Sequence, residues 1–358
     1  MRVNLGSSTN FSNLTPFWSV LIIIFLLVLT VYGVFDFYNE KIDPDFKNTK
    51  GEDLRCYRAI INRIHGGENY YAAAGSELRS RGYYTGSIFN WRLPILGWAL
   101  GHLPSIKIGQ IFAVILASMT VLMWMSVLQK HFSHIGIFFG GLFLAGPVIY
   151  SLSHDDFFLL HEFWSGTLIS ISLALYASGW RHASIISGLM ALFIRELALP
   201  FACAMSFVSY IDGNKKDALI WIIGILVFGG VFLYHSYIIM NLITERDLLQ
   251  KGGWIVFGGW PFVLSTARIH PFLILAPSWI TAVILPFALL GLAGCSERHG
   301  LSVFMTVGVF VAAYLFVGNP YNRYWGLMYL GVMPLGLLYV LSCLRDLCLS
   351  VYRKDSNA

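Results

Sequence analysis

The chain has 358 residues, of which 57% are hydrophobic and 12% are charged, and its formal net charge is +5. Soluble domains carry about 25% charged residues, so this composition excludes an ordinary soluble protein and indicates an integral membrane protein. The alternating short strands of a membrane barrel are not found, which favours an all-α, polytopic transmembrane helical bundle. We expect one membrane domain, 1–358, with no nucleic-acid partner.

Long apolar segments recur along the chain and predict about ten membrane spans. They lie near 18–35, 106–128, 134–152, 162–178, 183–194, 197–210, 218–240, 271–294, 301–317 and 325–344. The first is expected to be a retained signal anchor. Short connections with Lys or Arg fall on the N-terminal side, so the positive-inside rule predicts that both termini are cytoplasmic.

The polar segment 36–105 follows the first span and is predicted to be an outward loop with interfacial helices. Its residues 36–92 hold 17 of the 43 charged side chains of the chain. The pattern predicts helices at Arg55–His65 and Tyr70–Arg79, separated by two glycines. The apolar stretch Leu93–Leu103 is only 11 residues long and is expected to lie at the membrane surface or to enter the membrane halfway. If it crossed, the topology beyond it would invert.

The pair Arg195-Glu196 interrupts an apolar stretch, so the flanking segments 183–194 and 197–210 are predicted to be two short helices. Burying arginine in hydrocarbon costs at least about 2.5–3.5 kcal/mol, so Arg195 must face a cavity or a partner. One interpretation is an internal Arg–Glu pair that joins two helices. The other is a phosphate site, because the guanidinium fork suits phosphate. Glu196 would then orient Arg195 or bind a sugar hydroxyl, and Arg323 is a second phosphate-binding candidate.

The turn Ser153–Trp164 is rich in side chains that could bind a ligand. They are His154, Asp155, Asp156, His161 and Glu162. Binding of acceptor hydroxyls, helix capping, solvated charge and cation binding all remain open for them. We expect neither a metal nor a cofactor. Five cysteines, of which only Cys56 lies in the polar segment, predict no disulfide framework.

The acidic pair Glu52-Asp53 lies within the outward segment, and Asp53 is either ordinary loop charge or a catalytic base. In a sugar transfer with inversion, a carboxylate takes the proton of the acceptor hydroxyl. A phosphate leaving group can be stabilised by positive charge instead of a general acid. One carboxylate with one or two arginines is therefore sufficient for this chemistry.

The order of these features resembles the GT-C superfamily of polytopic membrane glycosyltransferases. The run Asp53-Leu-Arg-Cys-Tyr57, with Tyr70-Tyr71-Ala-Ala-Ala74 and Gly82-Tyr83-Tyr84, is most similar to the polyprenyl-phosphate mannosyltransferase branch. The resemblance covers residues 18–210. It implies a polyprenyl-phosphate sugar donor, a glycan or glycolipid acceptor, contact with membrane lipid, and an active site on the periplasmic side of a bacterial inner membrane.

The resemblance also implies site residues. It gives Asp53 as the general base, with Glu52 as the nearest substitute, and Arg195 at the position that binds the donor phosphate. The acidic residue of the second outward turn falls at Asp155 or Asp156. Further acceptor-binding or sugar-binding residues are expected at Glu162, Glu196 and Tyr57.

Three other classes of protein remain as alternatives. A transporter would show two similar halves with interrupted helices at corresponding positions, and we find none. A ligase or polymerase of lipid-linked glycans would carry its large basic outward loop later in the chain. A non-catalytic scaffold gives no reason for Arg195.

Overall fold

The computed structural model describes residues 9–39, 51–153, 156–249 and 256–352. It is 81% helical and has no strand in these ranges, which confirms the all-α prediction. The α-helices are α1 (Pro16–Asn39), α2 (Glu52–His65), α3 (Tyr70–Ser80), α4 (Pro94–Gly101), α5 (Ile106–Leu128), α6 (His134–Leu144), α7 (Gly146–Ser153), α8 (His161–Ala177), α9 (Arg181–Ile194), α10 (Leu199–Ile211), α11 (Lys215–Leu242), α12 (Glu245–Leu248), α13 (Gly259–Arg268), α14 (Pro271–Leu275), α15 (Ser278–Gly294), α16 (Arg298–Phe316), α17 (Leu327–Leu330) and α18 (Val340–Tyr352).

Four of these helices, namely α1, α5, α11 and α16, are long and apolar enough to cross a membrane. A fifth span results if α6 and α7, which meet at 44°, are counted together, and α9, α10 and α15 are apolar but shorter. The described chain is therefore compatible with an integral membrane protein. By length and apolar composition, four or five spans are found among the described residues, fewer than the predicted number of about ten.

Several predicted spans are broken in the structure, and prolines mark two of the breaks. The predicted span 271–294 is divided between α14 and α15 at Pro277, and 325–344 is divided by the 3₁₀ helix Met333–Leu338, which contains Pro334. Proline has no N–H to donate and disfavours helical geometry in the residue before it. A prediction based on apolar composition alone ignores these effects of proline, and it therefore overestimates the length of the helix.

The polar segment after α1 packs onto one end of the helical body. Helix α2 buries a stripe of side chains with the spacing of an amphipathic helix, namely Cys56, Tyr57, Ile60, Ile61 and Ile64. Gly67, at a φ of 89°, allows the turn into α3. The structure thus confirms both predicted helices of this segment, although α2 begins three residues early, at Glu52. Its outward location stays a prediction.

Helix α4 lies against α2 and does not cross the body. A Cβ at Gly101 would lie 2.5 Å from the Cγ2 of Ile64, so only glycine permits this approach. Helix α4 has 8 residues, a length of about 12 Å against a hydrocarbon core of about 30 Å.

Two local features bring distant residues to the end of the body that carries α2–α4. Arg195 has extended backbone angles, φ −145° and ψ 117°, so α9 ends at Ile194 before α10 begins. This confirms the predicted break between two short helices. The 3₁₀ helix Pro320–Gly326 leads into α17, which lies on α8, where a Cβ at Gly166 would lie 1.9 Å from the Leu327 carbonyl oxygen.

Candidate functional site

Eight polar side chains surround one region between α2, the start of α8 and the junction of α9 with α10. We call this group the polar centre; it consists of Asp53, Tyr57, Arg92, His161, Glu162, Arg195, Glu196 and Tyr324. Burial raises the pKa of the Tyr57 hydroxyl, the charges of Arg92 and Arg195 lower it, and those of Asp53 and Glu162 raise it. Residues far apart in sequence therefore act on a single hydroxyl group.

Asp53 faces the polar centre, whereas Glu52 is held on the side away from it. The Tyr83 hydroxyl donates a hydrogen bond of 2.5 Å to Asp53 Oδ1. Burial raises the pKa of Tyr324 well above its usual value, and the Asp53 carboxylate adds to this effect. Glu52 instead pairs with Arg55 at 2.5 Å and with Arg81 at 3.7 Å. Neighbours on a helix point about 100° apart, which separates the two acids.

Arg92 is a buried cation without a direct carboxylate partner. Its side chain is 7% exposed, and no described carboxylate lies within 4.0 Å of it. Its Nε donates to the Tyr57 hydroxyl at 3.1 Å and its Nη1 donates to the Phe89 carbonyl at 2.8 Å. Burial opposes its charge, but the neighbouring Tyr57, Tyr324, Glu162 and Glu196 raise the pKa of Arg92 well above its usual value.

A network of hydrogen bonds fixes the segment 81–92, which carries both Tyr83 and Arg92. Asp247 accepts from Arg79 Nη2 at 2.9 Å, from the Thr85 hydroxyl at 2.5 Å and from the Thr244 backbone N–H at 2.8 Å. The Trp91 indole N–H donates to the Thr85 carbonyl at 3.0 Å. These contacts attach the segment to α3 and α12, and they determine where Arg92 projects.

Arg195 is sealed in a buried ion-pair cluster with Glu162 and Glu196. Its side chain and that of Glu162 are both 0% exposed, and Arg195 Nε donates to Glu162 Oε1 at 2.6 Å. Its Nη1 donates to Glu196. Arg92 is close enough to act electrostatically on Arg195 and Glu196, and Glu162 and Glu196 act on Arg92 in turn, so two arginines and two carboxylates balance in charge here. This geometry fits an internal pair that joins two helices, one of the two interpretations left open by the sequence, and phosphate binding by Arg195 stays a prediction.

A pocket opens beside the polar centre between α2, α3 and α4. Its cavity volume is about 20 Å³, and Tyr57, Arg92 and His161 supply polar groups to an otherwise largely apolar wall. His161 is 4% exposed, and its ring lies edge-on to that of Tyr57 with centroids 5.2 Å apart. Neither ring nitrogen of His161 has a hydrogen-bond partner within the described residues.

The remaining predicted residues lie around this site in different ways. Asp155 falls outside the described residues, and Asp156 forms an ion pair with Arg58 of α2. Arg323 is partly exposed on the 3₁₀ helix that also carries Tyr324. No group of three or more His, Cys, Asp or Glu side chains that could hold a metal ion is found in the part of the chain that the structure describes.

Sequence reasoning assigned no role to Arg92, Tyr83 or Asp247. The sequence pattern that drew attention to Arg195, a lone charged residue beside an apolar segment, is also present at Arg92, which lies between Trp91 and the apolar α4. Tyr83 and Asp247 carried no such signal, because their positions depend on contacts between segments distant in sequence.

Comparison with protein-family models, with curated proteins and with solved structures returns no significant match to this chain.

Proposed function

We propose that the protein is a membrane glycosyltransferase that moves a sugar from a polyprenyl-phosphate donor to an acceptor hydroxyl. The observation that carries this proposal is that the Tyr57 hydroxyl accepts a hydrogen bond from Arg92 at 3.1 Å and is close enough to the Asp53 carboxylate for that charge to raise its pKa. A base and an anion-binding cation are the two groups that such a transfer needs. The sequence resemblance to GT-C enzymes gives the proposal its donor class.

In the proposed reaction the acceptor hydroxyl attacks the anomeric carbon of the donor sugar. Asp53 takes the hydroxyl proton as the new C–O bond forms. The bond between the anomeric carbon and the phosphate oxygen breaks, and the polyprenyl phosphate leaves with that electron pair. Arg92 stabilises the charge that develops on the leaving phosphate, so no general acid is required.

The apolar helices of the chain suit a donor whose chain lies in the bilayer. A polyprenyl chain stays in hydrocarbon, so its phosphate can be reached only at the membrane boundary. The positive-inside topology would place the polar centre on the periplasmic side of a bacterial inner membrane. A glycan or glycolipid acceptor would approach from that side.

The proposal is tested by release of polyprenyl phosphate from a labelled polyprenyl-phosphoryl hexose, added together with a glycolipid acceptor to nanodiscs that contain the purified protein. Polyprenyl phosphate should be released only when the protein is present. Arg92→Gln should weaken donor binding and slow this release. The matched control Arg55→Gln removes an arginine outside the polar centre and should change neither. If the protein in sealed proteoliposomes moves the labelled lipid across the bilayer and releases no phosphate, it is a transporter and the proposal is wrong.

A further inference from the structure

Three neighbouring side chains of the polar centre hold buried polar atoms without a partner among the described residues. They are both ring nitrogens of His161, Oε2 of Glu162 and Nη2 of Arg195. All three residues are at least nine-tenths buried. Buried polar groups in folded proteins nearly always have a hydrogen-bond partner. Four unpaired polar atoms on three adjoining side chains, beside a pocket, point to a ligand that supplies the missing hydrogen-bond partners.

The chemistry of these atoms describes the ligand group. Burial, together with the charges of Arg92 and Arg195, lowers the pKa of His161, so its imidazole is neutral and offers one donor and one acceptor. With Arg195 Nη2 and Glu162 Oε2, the unpaired set contains both donors and acceptors. A phosphodiester offers acceptors only, so it cannot donate to Glu162 Oε2 or to the acceptor nitrogen of His161. Hydroxyl groups both donate and accept, so they match the set.

We infer that His161, supported by Glu162, binds the hydroxyl groups of the donor sugar and forms a sugar subsite at the start of α8. His161 and Arg92 line the same pocket, so the groups that would bind the sugar and the phosphate of one donor molecule are neighbours. This inference rests on the proposed donor, and it separates recognition of the sugar by His161 from recognition of the phosphate by Arg92.

The test compares two probes with the same lipid chain, namely farnesyl phosphate, a phosphomonoester without a sugar, and farnesyl-phosphoryl mannose, a phosphodiester that carries one. Their dissociation constants are measured with wild type, His161→Phe and His161→Gln in nanodiscs. His161→Phe should weaken the mannose probe about tenfold, since each hydrogen bond to an uncharged group contributes a factor of roughly 2–12. It should leave farnesyl phosphate unchanged. His161→Gln keeps a donor and an acceptor and should retain part of the affinity.

The control His102→Phe changes an exposed histidine of the same polar segment and should affect neither probe. If wild type binds both probes but His161→Phe weakens both equally or neither, the sugar subsite is wrong while the proposed donor stands. If wild type binds neither probe, the donor class fails and the subsite fails with it. Should His161→Phe unfold in a thermal assay, His161→Met, which also lacks the ring nitrogens, takes its place and the same outcomes decide.

Discussion

Replacing Arg195 by methionine tests whether this arginine belongs to the fold or to ligand binding. Both Arg195 and Glu162 are 0% exposed, and the change leaves Glu162 buried without its cation. Breaking a buried ion pair by removing one partner costs about 3–5 kcal/mol, because the remaining charge is neither solvated nor compensated. Glu162→Gln removes a negative charge but keeps Arg195 paired with Glu196, so its cost should be nearer about 1 kcal/mol.

The free energies of unfolding can be compared by titrating mixed micelles with SDS and following tryptophan fluorescence. The double variant Arg195→Met/Glu162→Gln should be more stable than Arg195→Met alone, since it removes the uncompensated charge. Arg55→Met is the control, because the side chain of Arg55 is 60% exposed and surface pairs contribute about 0–1 kcal/mol. If Arg195→Met unfolds at the same SDS concentration as wild type, the buried cluster does not stabilise the fold, and the phosphate-binding interpretation of Arg195 is favoured instead.

Three further outcomes are expected. Asp247→Asn should cost about 1–3 kcal/mol and increase hydrogen exchange in segment 81–92. Hydrogen bonds from Arg79 lower the pKa of Asp247, so the contribution of Asp247 to stability is complete above its unfolded pKa of about 4 and is lost as the pH falls below that value. Acid titrations of wild type and Asp247→Asn can measure this loss. Tyr83→Phe should slow transfer about 3–10-fold with little change in unfolding, because Asp53 loses an orienting hydrogen bond; an unchanged rate would contradict this role. Cys348 is exposed, and an impermeant maleimide should reach it only from the cytoplasm; labelling from outside would contradict the topology.

The local pattern of the sequence predicted much of the helical architecture. The apolar stripe of α2, the glycines after it and the lone charge at Arg195 each act over one or two turns of helix. They therefore predicted α2, α3 and the break between α9 and α10. The breaks near Pro277 and Pro334 were missed because apolar composition alone does not register a missing backbone donor.

The composition of the site was harder to predict, because it depends on which segments meet. The sequence indicated Arg195 as unusual but left its partner open, and the partner is Glu162, on a helix that begins 34 residues earlier. Arg92 reaches the polar centre only because Asp247 and its neighbours hold segment 81–92 in place. Contacts of this kind are set by tertiary packing and leave no periodicity in the sequence.

The central claim is that Asp53 is the general base of a sugar transfer, and the direct measurement compares Asp53→Asn with Glu52→Gln. The rate of sugar transfer from a labelled polyprenyl-phosphoryl hexose is measured for each, together with donor affinity. Asp53→Asn should lose about 10²–10⁴-fold in rate and keep its donor affinity, because asparagine retains the acceptor for Tyr83 but cannot take a proton. Glu52→Gln should stay near the wild-type rate. If Glu52→Gln is the inactive variant, the base is Glu52; if both variants transfer at the wild-type rate, the transferase proposal is wrong.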